Sequence, residues 1–467
     1  MVDHANVKVA IIGGGITGLS AAFYVQKLAA EQKQPLDLTV IDSAHRLGGK
    51  IHTSSQDGFL IERGPDAFVS RKDHEIRALA EELGISQKIV SSAPGDVHIA
   101  ANGKLHPLPR GTVMGIPLSL KSLWAASSCS IGGRLRAMAD LFLPDTDKTA
   151  NTPLGSYLRR RFGNEYVENM IEPMFSGVYA GDIDRLSIDS AFPEALKAQG
   201  SLMRSLKRQP LSEQREFSGL FETFEGGLET LVQAIEQRLN CRIAKGVKAQ
   251  TISHSGQQRI VLGLSDGETL EADHVILAIP HRQAAALFEP HGIAKSLTAI
   301  PQTSIATVTM IFPEQSEWPG RGGTGFTVAR NNDSSISACS ISHLKWPALI
   351  PENRIMVRSF IGRVGDEAVV ELPDAEIGEL VMADLNRWLG LEQPPERMVI
   401  SRWKDAMPQY LAGHETKVST ARSEISRMFP GVQIAGGSYA GFGLPLCVKQ
   451  GQQAAEAVFN RNKEEMT

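Results

Sequence analysis

The feature that most constrains the fold is a glycine-rich run, Gly13 to Gly18 (GGGITG), placed between two apolar segments. Val7 to Ile12 before it is an apolar run, which is typical of a strand buried on both faces of a parallel sheet. Ile16 to Leu28 places apolar residues at helical spacing, and Leu38 to Ile41 has the pattern of a second buried strand. Together these segments predict a βαβ unit.

The same run has the spacing GxGxxG, which in this strand–turn–helix context predicts a dinucleotide site. Glycines let the backbone turn sharply and approach a pyrophosphate, whose charge is met by N–H groups at the helix N-terminus. Asp42 ends the second strand, 24 residues after Gly18. An acid at this position is expected to bond the ribose hydroxyls, and it disfavours the 2′-phosphate of NADP. The alternative is a glycine turn that holds no ligand.

The GxGxxG spacing recurs at Gly320 to Gly325 (GRGGTG), where its context is different. Trp318 and Pro319 come before it and do not form a strand pattern, whereas Phe326 to Val328 after it resembles a strand and not a helix. We therefore interpret this run as a β-hairpin loop. It follows that no second dinucleotide site, of the kind used by a flavoenzyme fed by nicotinamide, is predicted.

Length and charge exclude several classes of protein. The 467 residues exceed the length at which one core stops growing, so two or three sub-structures able to enclose a large cofactor are expected. A net charge of -4 gives no sign of a polyanion-binding surface, so nucleic acid is not an expected partner. No apolar run is long enough to span a bilayer, which predicts no transmembrane segment and leaves peripheral contact with a membrane open.

Cysteine and histidine spacing argues against a metal site. The four cysteines are far apart and form no CxxC pair, and the twelve histidines form no HxxxH or HExxH arrangement. Unpaired cysteines at such distances also argue against a secreted disulfide framework. We therefore predict no metal ion and a cytoplasmic location.

Two stretches after Asp42 carry a resemblance to a known family: Arg46 to Lys50 (RLGGK) and Glu62 to Asp66 (ERGPD). Both resemble the FAD fingerprint of the amine oxidase and porphyrinogen oxidase superfamily. In that superfamily the arginine and the glycines continue the pyrophosphate site, and the Gly-Pro turn passes beside the flavin. Taken alone, Arg46 would be interpreted as a solvated surface charge.

The resemblance implies a bound FAD. A noncovalent FAD is expected, because Cys447 lies outside the loop glycines where a flavin-tethering cysteine would be sought. The final helix, predicted from about Cys447, would bring its N-terminus near the flavin pyrimidine edge. The residues expected to bind the cofactor are Gly13, Gly14, Gly15, Ile16, Thr17, Gly18, Asp42, Arg46, Gly49, Lys50, Gly64, Pro65, Asp66, Ala67, Val247, Trp403, Phe442, Gly443 and Leu444.

Further stretches narrow the resemblance to protoporphyrinogen/coproporphyrinogen oxidases, and above all to the soluble enzymes of Gram-positive bacteria. They span nearly the whole chain: Ser176 to Asp182 (SGVYAGD), Thr223 to Leu228 (TFEGGL), Met407 to Tyr410 (MPQY) with His414, Ala435 to Pro445 (AGGSYAGFGLP) and Lys449 to Gly451 (KQG). In that group the resemblance implies coproporphyrinogen III as the substrate and coproporphyrin III as the product, in haem biosynthesis.

The implied chemistry removes six electrons in three rounds, with a hydride passing to flavin N5, dioxygen as acceptor and hydrogen peroxide released. No side chain is assigned as catalytic, because the flavin carries the chemistry. The alternatives are protoporphyrinogen IX as the substrate, a flavin amine oxidase, and a non-enzymatic relative such as a GDP dissociation inhibitor. The choice between the two porphyrinogens stays open, as does a transient handover of product to a ferrochelatase.

The resemblance also suggests residues around the tetrapyrrole. Gly177, Leu297 and Phe360 align with positions that line the pocket of the family, and Arg71 and Lys72 follow the Gly-Pro turn where the family places a basic residue toward a propionate. As isolated residues, the leucine and the phenylalanine are more often part of a plain core. Solvation at the surface is the alternative for the two basic residues.

We expect an α/β fold with a Rossmann-like FAD-binding domain of the flavin amine oxidase superfamily, a β-rich substrate domain and a helical insertion. The predicted FAD-binding domain comprises residues 1–60, 224–295 and 430–467. The substrate-binding domain comprises 61–100, 205–223 and 296–429, and the helical insertion 101–204. Further strands are predicted at Ser304 to Phe312, Arg354 to Gly362, Val275 to Ile279 and Val432 to Ala435.

Overall fold

The structure is a computed structural model, and it describes residues 6–69, 75–145, 147–208, 221–255, 259–314 and 316–464. Its strands are β1 (Val7–Ile12), β2 (Leu36–Asp42), β3 (Thr53–Gln56), β4 (Phe59–Glu62), β5 (Phe68–Val69), β6 (Ile89–Ser91), β7 (Val97–Ala101), β8 (Lys104–Pro107), β9 (Thr112–Val113), β10 (Ile116–Pro117), β11 (Phe221–Phe224), β12 (Arg242–Lys245), β13 (Ala249–His254), β14 (Ile260–Leu264), β15 (Thr269–Ala272), β16 (His274–Leu277), β17 (Gln302–Ile311), β18 (Gly325–Val328), β19 (Ile336–Ile341), β20 (Met356–Ile361), β21 (Arg397–Pro408) and β22 (Val432–Ile434).

Helices make up much of the rest. The α-helices are α1 (Ile16–Glu31), α2 (Glu75–Glu82), α3 (Leu120–Trp124), α4 (Ile131–Met138), α5 (Leu154–Phe162), α6 (Asn164–Tyr166), α7 (Glu172–Tyr179), α8 (Ile188–Ala191), α9 (Pro193–Lys197), α10 (Leu202–Lys207), α11 (Glu229–Arg238), α12 (His281–Phe288), α13 (Ser342–Lys345), α14 (Asp374–Leu389), α15 (His414–Met428) and α16 (Leu444–Glu464). A π-helical turn at Val167–Ile171 joins α6 to α7, and single 3₁₀ turns lie at Ser86–Lys88, Ala139–Leu141, Glu289–His291, Lys295–Ala299 and Glu367–Glu371.

A five-stranded parallel sheet, in the order β12-β2-β1-β16-β22, forms the Rossmann-like part of the molecule. In β1 the buried side chains alternate between two cores, as the period of a strand requires. Val9 and Ile11 contribute to the core under α1, α2, α11 and α16, whereas Ala10 and Ile12 contribute to the core under α12, α15 and β13–β15. The strand therefore has apolar residues on both faces, as its sequence predicts.

The second large sheet is mixed and has seven strands, in the order β21-β17-β20-β19-β18-β7-β8. Its pairs are antiparallel except for β18 with β7. One face of β17, through Ala306, Val308 and Met310, packs with α14 in a separate core. The opposite face, which carries Ile305 and Thr307, is turned toward the cavity described below.

The glycine run at 320–325 confirms part of the sequence interpretation and corrects the rest. A strand, β18, follows it and no helix does, as predicted. The run is not a β-hairpin loop, because it connects β17 to β18 and these strands are not neighbours in the sheet. Two other strands, β20 and β19, lie between them, so the pairing partners of β17 come from later in the chain.

Two predicted boundaries differ from the way the elements pack. The break between residues 100 and 101 falls inside β7, whose hairpin with β8 pairs Ala100 with Leu105 and Ala101 with Lys104. Helix α15, predicted as part of the substrate domain, packs through Val418 in the core of the parallel sheet. Sequence cannot assign these short segments to a layer, because their apolar patterns fit either one.

Residues 101–208 fold mainly into short helices, α3 to α10, around a core of their own. Exposed apolar side chains remain on α3 and α4, among them Trp124 and Ile131. None of the helices within the described ranges combines the length and the apolar character needed to cross a bilayer.

Candidate active site

One cavity of about 570 Å³ lies at the carboxyl ends of the parallel strands, where open α/β sheets bind their ligands. Ile12, Asp42 and Ala435, at or just after the ends of β1, β2 and β22, line one end of it. Side chains of the seven-stranded sheet, among them Phe360 and Trp403, line the other end. A single space therefore connects the predicted dinucleotide site with the face of the second sheet.

The first glycine turn is packed so closely that only glycine fits at two of its positions. Gly13 has φ +104°, and a Cβ there would lie 2.5 Å from the Ala278 carbonyl oxygen. A Cβ on Gly18 would lie 1.8 Å from the Gly13 carbonyl oxygen. These contacts fix the start of α1 directly against the turn.

Gly15 is glycine for a different reason. A Cβ on Gly15 would meet only the Cα of Gly49, at 3.9 Å, and the residue lines the cavity. A side chain there would project into the space where a ligand lies. Gly15 is the N-cap of α1, and no capping side chain accepts a hydrogen bond from the first N–H groups of this helix, so they are available to an anion.

The second glycine turn packs against the first. The Gly48 N–H donates to the Gly14 carbonyl oxygen at 2.8 Å, and a Cβ on Gly49 would lie 3.1 Å from the Gly15 Cα. Arg46 holds this turn from behind, since its guanidinium donates to the carbonyl oxygens of Gly49 at 2.6 Å and Ile51 at 2.9 Å. Its donors thus go to backbone, and its expected contribution to the pyrophosphate site is indirect.

Asp42 links the end of β2 to the glycine turn. Its carboxylate accepts the Gly14 N–H at 2.6 Å and the Ala44 N–H at 2.7 Å, and the residue lines the cavity. Val247 lies beside it, with its N–H donating to the Asp42 carbonyl oxygen at 3.0 Å. Each carboxylate oxygen retains a lone pair that a ribose hydroxyl can use.

These features fit a dinucleotide. The glycine turns allow a pyrophosphate to come close to the backbone. The N-terminus of α1, which has no capping side chain, is an anion site, and the carboxylate of Asp42 can accept from a ribose hydroxyl. The space that a Cβ on Gly15 would fill is the most direct sign that this wall is shaped for a ligand.

Lys50 extends the cationic character of the wall. Its ammonium group donates to the carbonyl oxygen of Ala406. The exposed surface of Lys50 faces the cavity, and protein atoms surround the rest of the side chain. This burial lowers the pKa of Lys50 from its ordinary value.

The Gly-Pro turn forms the next part of the wall, through Gly64, Pro65 and Ala67. A Cβ on Gly64 would lie 1.8 Å from the Lys50 carbonyl oxygen, so the two predicted fingerprint stretches are in direct backbone contact. The Arg63 carbonyl oxygen accepts from the Trp403 indole at 2.7 Å and from the Thr307 hydroxyl at 3.0 Å. The turn is therefore fastened to the seven-stranded sheet.

Asp66 does not take the place expected for it. The described lining of the cavity does not include it, and its carboxylate pairs with Lys345 at 2.8 Å and with Arg358 at 3.6 Å. Burial alone would raise the pKa of Asp66, but these two cations lower it to about 2. Both partners come from distant parts of the chain, so no local pattern could reveal the pairing.

The C-terminal glycine loop closes the cavity, with Phe442, Gly443 and Leu444 on its wall. Helix α16 begins at Leu444, three residues before the predicted start, so that its N-terminus lies at the wall itself. Sequence reasoning placed the start too late because the GFGLP run resembles a loop.

The stretch at 407–410, which helped to identify the family branch, supports this loop. The Tyr410 hydroxyl donates to the Gly437 carbonyl oxygen, and its ring lies 5.6 Å from the Phe442 ring. Tyr179 lies 5.3 Å from the Phe442 ring in an edge-to-face arrangement. Burial raises the pKa of Tyr410 well above its ordinary value, so its hydroxyl keeps the proton that it donates. No role for Tyr410 was predicted from sequence.

The structure brings two of the expected substrate residues into the cavity. Gly177 lies on α7 and Phe360 on β20, and both line the end formed by the seven-stranded sheet. Arg71 and Lys72 fall outside the described residues. Other residues of this end, which the sequence did not single out, are Ser176, Val178, Ile305, Thr307, Ser337 and Met407.

The structure places Leu297 in a core, which is the alternative that the sequence left open for it. It lies on a 3₁₀ turn with no exposed surface, packed in the core beside the parallel sheet, and it is absent from the described lining of the cavity. Its apolar side chain is as well suited to a core as to a pocket wall, and sequence alone could not separate these two environments.

Comparison with known proteins identifies the class. The family model described as flavin containing amine oxidoreductase matches residues 16–459, and the chain belongs to that family. It is therefore a flavin-dependent oxidoreductase, and the dinucleotide that its cavity fits is FAD.

Within this class, the chain is similar over nearly its full length to relatives that are named as porphyrinogen oxidases. The chain is 40% identical to the coproporphyrinogen III oxidase of Bacillus subtilis strain 168, over 97% of this chain and 98% of the relative. It is 34% identical to the coproporphyrinogen III oxidase of Staphylococcus aureus strain NCTC 8325, over 97% and 98% of the two chains. A crystal structure from Exiguobacterium sp. 255-15, provisionally assigned as a protoporphyrinogen oxidase, superimposes with a TM-score of 0.86 at 35% identity, covering 97% of this chain and 99% of that one.

Proposed function

We propose that this chain oxidises coproporphyrinogen III to coproporphyrin III in haem biosynthesis, with noncovalently bound FAD as cofactor, dioxygen as electron acceptor and hydrogen peroxide as the second product. The observation that carries the proposal is the single cavity that joins the dinucleotide wall to the face of the seven-stranded sheet. The names of the similar proteins from Bacillus subtilis and Staphylococcus aureus support the choice of substrate.

When bound, FAD would supply the two-electron redox chemistry, with the porphyrinogen as electron donor and dioxygen as final acceptor. The chain supplies placement. Asp42 and the N-terminus of α1 would hold the adenosine and pyrophosphate portion, and the Gly64–Pro65 turn, with the loop before α16, would enclose the reactive end.

The substrate end is suited to a large apolar ring system. Ile305, Phe360, Trp403 and Met407 present apolar surface to the cavity, and Gly177 leaves backbone uncovered on the opposite side. A porphyrinogen between such walls would place a saturated meso carbon toward the flavin while its carboxylates extend to the opening. Protoporphyrinogen IX is the second candidate, because the similar Exiguobacterium structure carries that assignment.

The test is turnover of the FAD-loaded enzyme on the two porphyrinogens at matched concentrations, followed by porphyrin fluorescence under air. Reactions without enzyme correct for spontaneous oxidation. We expect kcat/KM for coproporphyrinogen III to exceed that for protoporphyrinogen IX by about tenfold or more, since a site made for extra carboxylates loses their contacts with vinyl groups. Equal values, or a preference for protoporphyrinogen IX, would contradict the proposed substrate.

A further inference from the structure

A buried arginine lies on the cavity-facing side of the seven-stranded sheet. Arg358 is 2% exposed and sits on β20, two residues before Phe360. Because strand side chains alternate, these two residues point to the same face, and Phe360 lines the cavity. Arg358 does not itself line the cavity among the described residues, so it lies behind the wall and not in it.

One side of Arg358 contacts the cofactor wall. Its guanidinium donates to the carbonyl oxygen of Gly64, and a second nitrogen lies 3.6 Å from the Asp66 carboxylate. Gly64 and the adjacent Pro65 line the cavity, and Gly64 is already packed against the Lys50 backbone. Arg358 therefore fixes the orientation of the peptide group of Gly64, which lines the cavity.

The other side of Arg358 contacts the substrate wall. The guanidinium carbon lies 4.6 Å from the centroid of the Phe360 ring. A flat, weakly hydrated guanidinium at this distance attracts the ring face and restricts the angles that the ring can adopt. The ring angle of Phe360 determines the shape of the cavity at the end turned toward the seven-stranded sheet.

Neutralising Asp66 does not account for the presence of Arg358. The carboxylate of Asp66 already pairs with Lys345 at 2.8 Å, which is closer than its contact with Arg358. Two nitrogens of Arg358, Nε and Nη1, are buried with no hydrogen-bond partner among the described residues, and burial lowers the pKa of the arginine. A buried cation with such incomplete bonding is weak evidence for a stabilising role. What distinguishes Arg358 is that it contacts both walls at once.

We propose that Arg358 is a positioning residue that couples the two walls of the active site, holding the Gly64–Pro65 turn against the flavin and fixing the ring of Phe360 against the substrate. The first half of this proposal requires only the flavin. The second half rests on the proposed function, so the two halves are tested with separate readouts.

The first experiment compares Arg358→Met and Arg358→Lys with the control Arg354→Met. Arg354 is a suitable match because it also stacks on a phenylalanine, with its guanidinium carbon 4.9 Å from the Phe59 ring, and it pairs with Glu396. In Arg358→Met, Asp66 keeps Lys345 as a partner. Glu62, the other acid that Arg358 acts on electrostatically, keeps its hydrogen bonds from Leu228 and Thr53. Each purified protein is stripped of flavin, titrated with FAD and examined by visible circular dichroism.

We expect Arg358→Met to weaken FAD binding by about tenfold and to change the circular dichroism of the bound flavin, because the peptide beside it loses a charge-assisted hydrogen bond. Arg358→Lys, which keeps a cation, should restore part of both properties. Arg354→Met should retain the FAD affinity and spectrum of the wild type, whatever it does to the melting temperature. Wild-type flavin affinity and spectrum in a folded Arg358→Met protein would overturn the first half.

The second experiment tests the coupling with a double-mutant cycle of Arg358→Met and Phe360→Leu. Coupling predicts that Phe360→Leu changes the flavin spectrum and the KM for coproporphyrinogen III in the presence of Arg358, and changes them much less after Arg358 is replaced. Independent, multiplicative effects would overturn the coupling. If the wild type does not turn over coproporphyrinogen III, the proposed function fails, and the flavin spectra of the four proteins still decide whether the walls are coupled.

Discussion

The two ends of the cavity differ in what forms their walls: mainly backbone at one end and mainly side chains at the other. The cofactor end consists of backbone packed on backbone, with glycines at 13, 18, 49 and 64 whose Cβ positions are all within 3.1 Å of another backbone atom. The substrate end consists of side chains from strands β17, β20 and β21 and from helix α7, which come together only in the folded chain.

This difference explains how one family can contain different oxidases. Backbone contacts at the cofactor end permit almost no substitution, since a single methyl group would collide with a carbonyl oxygen. Side chains at the substrate end that contact neither the Gly64–Pro65 turn nor Arg358 can change size without disturbing the glycine turns at the cofactor end. A family described by amine oxidation can therefore include relatives named for coproporphyrinogen III.

The largest effect is expected when one methyl group is added, in separate variants, at Gly18 and at Gly15 of the same turn. Gly18→Ala places a Cβ 1.8 Å from the Gly13 carbonyl oxygen and should cost about 4 kcal/mol or more of folding stability, with loss of flavin. Gly15→Ala meets no protein atom closer than 3.9 Å and should leave the apoprotein as stable as the wild type while it abolishes FAD binding. Melting curves of the two apoproteins, with FAD titrations, check this.

The contrast between these two variants is the control. If Gly15→Ala binds FAD as the wild type does, the space in front of Gly15 is not the cofactor site. If Gly18→Ala folds and binds flavin normally, the backbone at the cofactor end is more adaptable than we infer.

Asp42 tests the polar part of the cofactor end. Asp42→Ala removes the acceptor of two backbone N–H groups that hold the glycine turn, together with the acceptor expected for the ribose hydroxyls. Loss of one charge-assisted hydrogen bond to the ribose, worth about 1.5 to 3 kcal/mol, should raise the FAD dissociation constant by about 10-fold to 100-fold. Asp42→Asn keeps one carbonyl oxygen as an acceptor and should lose less. Fluorescence titration with FAD measures both. An affinity unchanged in Asp42→Ala would remove this residue from the cofactor site.

The boundary between the two ends contains a titrating acid, Glu62. Its carboxylate accepts from the Leu228 N–H at 2.7 Å and the Thr53 hydroxyl at 2.9 Å, yet burial raises its pKa from 4.5 to about 7. The folded state therefore retains a proton that the unfolded chain releases. Stability from this group is full below pH 4.5 and falls as the pH rises to about 7, by at most about 1.4 kcal/mol per pH unit.

Glu62→Gln should remove this part of the pH dependence, because glutamine stays neutral and fits the same space. Urea unfolding of both proteins across this pH range checks the expectation. The difference in unfolding free energy between Glu62→Gln and wild type should grow in favour of the variant as the pH rises. A difference that does not vary with pH would show that Glu62 ionises normally in the folded state.

At the substrate end, Gly177→Ala should have the smallest effect. Its Cβ would lie 3.0 Å from the Thr327 methyl group, which can move slightly, and would reduce the space for the macrocycle. We expect KM for coproporphyrinogen III to rise about threefold to tenfold, with FAD binding unchanged. Gly132→Ala is a matched helical control, because its Cβ would lie 3.7 Å from the nearest atom, the Ser130 hydroxyl. Weaker FAD binding in Gly177→Ala would contradict the separation of the two ends.

The same contrast explains what could be predicted from sequence. The turn at 13–18, the strand before it and the acid at 42 were predicted because their geometry depends on neighbours within a few dozen residues and on glycine itself. The strands β16, β20 and β22 were predicted for similar local reasons, from their apolar runs.

Residues whose environment depends on distant segments are the ones whose contacts the sequence could not reveal. Asp66 pairs with Lys345 and Arg358, which lie far along the chain, and no sequence pattern near Asp66 predicts these partners. The apolar side chain of Leu297 would suit a pocket wall, but the residue is fully buried in a core. The hydroxyl of Tyr410 supports the backbone at Gly437, a contact that exists only after both segments have folded.

The most direct test of the central claim is to mix the FAD-loaded protein with coproporphyrinogen III without oxygen and then admit air. We predict loss of the oxidised-flavin absorbance before air enters, and then three dioxygen molecules consumed for each coproporphyrin III formed, because six electrons leave in pairs. A flavin that stays oxidised in the presence of the porphyrinogen, while the protein retains its FAD, would contradict the account.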